Sequence, residues 1–209
     1  ALAAVEGDYS MMAMPRVNKI LQHPSYEEYT YKNKQAEEQR IYCRHGADHG
    51  LAVARIAYIY ILEEFIGMGT LKEIDTFKEI DASKEMGSSK IGANLEAQLE
   101  RAFGLNKEMI YAAGILHDIG RWVEYATKED HAHVGAGLAQ PILQDCGFSE
   151  EEIDKISLSI SEHRLEPNKT TTLLGKALAL ADDWARDCKN CASQTSCYKY
   201  TKAMEEILI

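Results

Sequence analysis

Ala112-Ala113-Gly114-Ile115-Leu116-His117-Asp118-Ile119-Gly120 decides the reading of this chain. Apolar and small residues fill a helical run, and an imidazole and a carboxylate sit side by side at its end. Asn106 is placed to cap a helix that runs to Ile119, where Gly120 ends it. His117 and Asp118 offer a nitrogen and an oxygen ligand for a hard or borderline divalent metal. The dipeptide alone is common, so its meaning depends on what the rest of the chain supplies.

Four other positions fit the same picture. His49 opens His49-Gly50-Leu51-Ala52-Val53-Ala54-Arg55-Ile56-Ala57, the start of a core-like helix. His131 precedes Val134-Gly135-Ala136, small residues that permit close helix packing. His163 ends a helix that begins at Ser149. Asp182 follows Ala177-Leu178-Ala179-Leu180-Ala181, so a carboxylate closes an apolar run. A buried carboxylate is costly without a partner, and a metal is a natural one. Taken singly, each of these residues reads equally well as a capped helix end or a packed core histidine.

The periodicity around these residues is helical almost throughout. Only four prolines occur and β-branched alternation is nearly absent. The expected fold is all-α. Helices are expected over 26–42, 48–65, 106–119, 130–147 with Pro141 kinking or splitting it, from Ser149 with Glu152 as a capping box, and over 173–186. A cysteine-bearing loop and a terminal helix close the chain. Residues 1–25 read as an N-terminal extension and 26–209 as one domain. Within it, 67–93 reads as an insertion of loop and short helix.

The 209 residues suit a single domain with a substantial core. The net charge of −10 argues against a nucleic-acid-coating surface. It leaves room for a small anionic substrate, because bound metal reverses the local potential. The longest apolar stretch, Leu51 to Leu62, is interrupted by Arg55 and is too short to span a bilayer. Ala1 to Ser10 lacks the basic and apolar regions of a signal peptide. No membrane partner is expected, the cytoplasm is the default location, and a homodimer is compatible with the sequence.

In order and spacing, His49 with Val53-Ala54-Arg55-Ile56-Ala57, Leu116-His117-Asp118-Ile119-Gly120, His131-x-x-Val134-Gly135-Ala136, Ile160-x-x-His163 and Leu180-Ala181-Asp182 resemble the HD superfamily of metal-dependent phosphohydrolases. The resemblance covers about residues 40 to 187. It implies a helical bundle with the metal between helices. It carries the minimal metal set onto His49, His117, Asp118 and Asp182. In two-metal relatives further histidines bind the second ion, which His131 and His163 match, with Asp118 bridging. The implied cofactor is one or two divalent ions from Mn, Fe, Co, Ni, Mg and Zn.

The implied substrate is a nucleotide, a dinucleoside polyphosphate or another small phosphate ester. Among subgroups, the chain is most similar to small bacterial hydrolases that cleave dinucleoside polyphosphates symmetrically. The Gly-Tyr-Pro element of cyclic-dinucleotide phosphodiesterases is missing, since Arg164-Leu165-Glu166-Pro167 follows His163. Asp118 and Arg121 are the expected catalytic residues. Arg121, directly after the Asp-Ile-Gly turn, is also the best phosphate contact, with Arg164, Lys128 and Arg44 weaker. His45, four residues before His49, is a supporting or substrate-contacting candidate. His133 and His23 are set aside.

Cys188-x-x-Cys191 followed by Cys197 has the spacing of a zinc knuckle. Cys43, just before His49, is the candidate fourth ligand. Unliganded thiols, an iron–sulfur cluster or a disulfide are the alternatives, and Cys146 reads as a packed thiol. The competing class for the whole chain is a non-catalytic HD module that senses metal or nucleotide. A di-iron bundle is disfavoured, because its paired Glu-x-x-His spacing is absent.

Overall fold

The computed structural model describes residues 13–68 and 88–205. The readings made on 1–12 and on the middle of the 67–93 segment lie outside the described residues. The described chain is helical, without strands: α1 (Pro15–Leu21), α2 (Pro24–Ala36), α3 (Ala47–Gly67), α4 (Ser88–Phe103), α5 (Lys107–Leu116), α6 (Arg121–Thr127), α7 (His131–Cys146), α8 (Glu150–Glu162) and α9 (Leu173–Trp184). No described helix is long and apolar enough to cross a membrane.

Local chemistry sets most of the helix starts. The Asn106 side chain accepts from the Met109 N–H at 3.0 Å, Asp130 caps α7 through Ala132, and Thr172 caps α9 through Gly175. Ser149 and Glu152 form the expected reciprocal capping box on α8.

α3 is the central element and packs on α5 and α9, while α8 packs on α5, α7 and α9. The α3–α5 contact depends on Gly114. A Cβ there would sit 2.5 Å from the Ala54 Cα, so only glycine lets the two backbones approach this closely. Val53, Ala57 and Ile61 of α3 meet Ile110 and Ala113 of α5 in a continuous core.

Several element boundaries differ from the sequence-based expectation. The helix expected over 26–42 starts at Pro24 and stops at Ala36, and residues 37–42 are irregular. Pro141 does not split α7, which runs unbroken from His131 to Cys146. The helix expected to reach Ile119 ends at Leu116, and 117–120 is a tight turn into α6. Gly120 is therefore no left-handed cap, since its φ is −85°. Its role is proximity: a Cβ on Gly120 would lie 2.6 Å from both the Gly135 nitrogen and the His131 carbonyl oxygen. The described part of the C-terminal end is a 3-10 turn, Lys202–Glu205, rather than an α-helix.

Within the stretch expected to be an extension, α1 joins the core through Val17 and Ile20. Arg16 anchors it, with ion pairs to Glu108 at 2.5 Å and Glu152 at 2.8 Å, and its guanidinium lies 4.2 Å from the Phe148 ring centre.

Candidate metal centre

Four helices and one turn bring the six candidate ligands together. His49 comes from the first turns of α3, and His117 and Asp118 from the turn after α5. His131 begins α7, His163 caps α8, and Asp182 lies in the last turn of α9. Their donor atoms form two groups, each within 4.8 Å: His49, His117, Asp118 and Asp182, and then Asp118, His131 and His163.

Asp118 belongs to both groups, with one oxygen in each. Its Oδ2 lies 3.2 Å from His117 Nε2 and 4.0 Å from His49 Nε2. Its Oδ1 lies 3.0 Å from His131 Nε2 and 3.8 Å from His163 Nε2. Asp182 Oδ1 closes the first group at 3.0 Å from His49 Nε2.

The surroundings set the histidine tautomers. His117 Nδ1 donates to the Gly114 carbonyl at 2.7 Å, and His163 Nδ1 donates to Ile160 at 2.7 Å. A carbonyl only accepts, so Nδ1 carries a proton, and in the neutral imidazole Nε2 is the atom left to ligate. His131 Nδ1 is likewise held by Glu124. Such partners orient ligating imidazoles and raise their basicity.

The atoms at the centre fit a cation. His117 Nε2 and Asp118 Oδ2 are both fully buried and neither has a hydrogen-bond partner among the described residues. Buried polar atoms of this kind are rare, and a divalent ion between them satisfies both. Burial pushes the Asp118 carboxyl up, but His117, His131 and Arg121 outweigh it and hold the group well below the usual range. Asp182 is likewise held well below that range: burial opposes this, and His49, His117 and Arg186 prevail. Burial, reinforced by His117, depresses His163 to about 3. Anionic carboxylates and a neutral imidazole are the forms that ligate.

A cleft of about 400 Å³ opens over the centre. Asp182, His131 and His163 line it, together with Arg40, Arg121, Arg164, Arg186 and Lys199. An acidic protein thus presents five basic side chains around its histidines and aspartates. Arg121 Nε lies 3.3 Å from Asp118 Oδ1, and its two terminal nitrogens pair with nothing among the described residues. Arg164 is more exposed and pairs with Glu124 and Asp130. Arg186 is committed to Asp182 and Asp183, each at 2.7 Å.

Two of the proposed substrate contacts are not brought to the cleft. Lys128 is exposed, ends α6 in a left-handed conformation and donates to the Tyr125 carbonyl. Arg44 is exposed and bonds the Glu38 carbonyl. His45 does reach the cleft, but from the loop before α3 rather than from its first turn. Glu37 fixes it, with Oε1 2.5 Å from His45 Nδ1 and Oε2 accepting from the His45 N–H at 2.7 Å. His133 is exposed, while His23 caps α2 and meets Asp145.

The sequence reading missed the supporting residues. Asn33 Nδ2 donates to the Asp118 carbonyl at 2.9 Å, and its Oδ1 accepts from the Trp122 N–H at 2.7 Å. Glu37, Glu124 and Tyr125 were missed as well. Asn33 and Glu37 lie outside every motif quoted above, and Glu124 and Tyr125 sit on α6, which has no buried residue to mark a face.

Comparison with known proteins agrees with this geometry. The HD domain model matches residues 86–187, a span that holds His117, Asp118, His131, His163 and Asp182. The chain belongs to the HD superfamily. The HD match stops short of His49, which the fold supplies from α3 to complete the first ligand group. A protein of Clostridium beijerinckii (strain ATCC 51743 / NCIMB 8052), described only as uncharacterized, is 30% identical over 184 residues. That alignment spans 88% of this chain and 92% of the relative. No solved structure matches significantly. HD domains form a superfamily of metal-dependent phosphohydrolases, and this member carries a His/Asp cluster able to hold a divalent metal.

Proposed function

We propose that this protein is a metal-dependent phosphohydrolase acting on a nucleotide, a dinucleoside polyphosphate or another small phosphate ester. One observation carries the reading. Asp118 joins two buried donor groups beneath a cleft lined by basic side chains. A divalent metal held by these residues would lower the pKa of a bound water toward neutral and would polarise a phosphoryl oxygen.

The chain's own residues do the remaining work. His49, His117, Asp118 and Asp182 are the first ligand set, and His131 and His163 with Asp118 are the second. Gly114, Ile160 and Glu124 hold three of the imidazoles in the ligating tautomer. The free terminal nitrogens of Arg121 suit two phosphoryl oxygens in a fork, and stay charged at any working pH. Arg164 stands further out, where a longer or doubly phosphorylated substrate extends.

The test is a panel of phosphate esters and anhydrides assayed with Mn, Fe, Co, Ni, Mg or Zn. Asp118→Ala is the control variant, with metal content measured alongside. The reading requires turnover that Asp118→Ala abolishes together with metal binding, at unchanged helical content. Metal and nucleotide binding without turnover of any panel member would instead make the protein a sensor module.

A further inference from the structure

We infer that Cys43, Cys188, Cys191 and Cys197 form a second, structural metal site, of zinc–thiolate type, at the rim of the cleft. It is separate from the His/Asp centre and does not rest on the proposed hydrolysis.

Three features of the fold gather these cysteines. Residues 185–201 leave α9 as a run of short turns, and a turn at 188–191 closes with the Cys191 N–H donating to the Cys188 carbonyl. Gln194 Nε2 donates back to that same carbonyl at 3.0 Å. The run is stitched to the segment before α3: Ser193 Oγ donates to the Ile41 carbonyl at 2.5 Å, and Tyr42 OH donates to the Ser196 carbonyl at 3.2 Å. A residue distant in sequence, Cys43, is thereby held beside the knuckle, and Cys43, Cys188 and Cys197 line the same cleft.

None of the four is in a disulfide, and Cys188 Sγ donates to Met204 Sδ at 4.0 Å. The sulfurs do not form a group within 4.8 Å as the His/Asp donors do. Three of them stand on turns rather than helices, so drawing them together breaks no regular element. Arg186 gives an independent sign. Its side chain is 93% buried, and its Nε has no hydrogen-bond partner among the described residues. A metal-bound thiolate is an acceptor of the kind this buried donor lacks.

The donor chemistry selects the metal class. Four soft thiolates with C-x-x-C spacing fit tetrahedral zinc, whereas the imidazole and carboxylate centre suits harder ions. Closing such a site would fasten the 188–197 loop to Cys43. It would also hold Arg186, and through it Asp182, one turn away in the first ligand group.

The experiment uses the full chain in an Asp118→Ala background, which strips the His/Asp centre. Elemental analysis should find about one zinc per chain, in line with a closed four-ligand site. Adding Cys188→Ser and Cys191→Ser should remove it. Replacing zinc by Co(II) should give the thiolate charge-transfer absorption of a tetrahedral sulfur site. A thiol reagent should modify four of the five cysteines only after a chelator is added, a readout that needs no variant to fold. Zinc retained in the double cysteine variant, four thiols reactive without chelator, a Cys188–Cys191 disulfide in the purified protein, or a visible iron–sulfur chromophore would each overturn the inference.

Discussion

Asn33 holds the Asp118 turn from a helix that carries no ligand. Its amide donates to the Asp118 carbonyl and accepts from the Trp122 N–H, bridging both ends of the turn that positions His117 and Asp118. Asn33 is 2% exposed, so neither backbone group can exchange it for water.

Asn33→Ala is therefore expected to act at a distance. It should weaken metal affinity or activity by roughly 10–100-fold, as loss of an outer partner does at other metal sites. Two orphaned backbone groups should also cost about 1–3 kcal/mol of stability. Metal titration and urea unfolding read the two effects separately. Normal metal affinity in a folded variant would show that the turn holds itself.

Arg121→Ala should keep metal occupancy and lose roughly ten- to a thousand-fold in kcat/KM, the scale of a charge-assisted contact made in the transition state. Lysine should restore only part, because a point charge replaces a fork. Steady-state kinetics with metal analysis decides. A loss within about twofold, far below that of a transition-state contact, would make the Asp118 pairing its whole role.

Glu162, next to His163 in sequence but bonded to the segment before α9, supplies a pH prediction. Its carboxylate accepts from the backbone N–H and the hydroxyl of both Thr171 and Thr172, at 2.5 to 3.2 Å. Burial pushes this carboxyl up, but the four donors outweigh it and hold it below its ordinary value of 4.5. A depressed folded-state value means that the stabilisation is complete above the unfolded-chain value. It is lost as pH falls through the folded one. Glu162→Gln should thus cost about 2 kcal/mol at neutral pH, the scale of hydrogen bonds to a charged group. The difference from the parent should shrink as pH falls below 4.5. Urea unfolding across pH tests it, and a difference independent of pH would assign the effect to shape rather than charge.

Gly114→Ala should destabilise by about 1–3 kcal/mol, because its methyl group overlaps backbone rather than a movable side-chain end. For a chain of this size that lowers the melting temperature by about 2–4 °C per kcal/mol. An unchanged melting temperature would mean that α3 and α5 separate freely. A parallel loss of metal affinity is expected, since α3 carries His49 and α5 leads into His117.

The helical class, the caps at Asn106 and Ser149, and the identity of the six ligand candidates were legible in the sequence alone. These features are local: a capping side chain bonds within three residues, and apolar spacing shows one helix face at a time. Each candidate ligand also stood at an end of an apolar run, where a polar side chain needs a reason. What the sequence left open depends on distance in space. The resemblance already implied that Asp118 bridges, but which of its oxygens faces which group follows from how α5, α7 and α8 cross, and no spacing encodes that crossing. The same holds for Asn33 on α2 and Glu37 just past its end, polar residues outside the motifs, whose partners lie on a distant turn or a neighbouring loop. Arg121 and Lys128 were both candidates as charges near one motif, Arg121 the stronger. Packing left Lys128 on the surface and placed Arg121 beside Asp118, because a side chain's direction is set by the element that carries it and by what that element packs against.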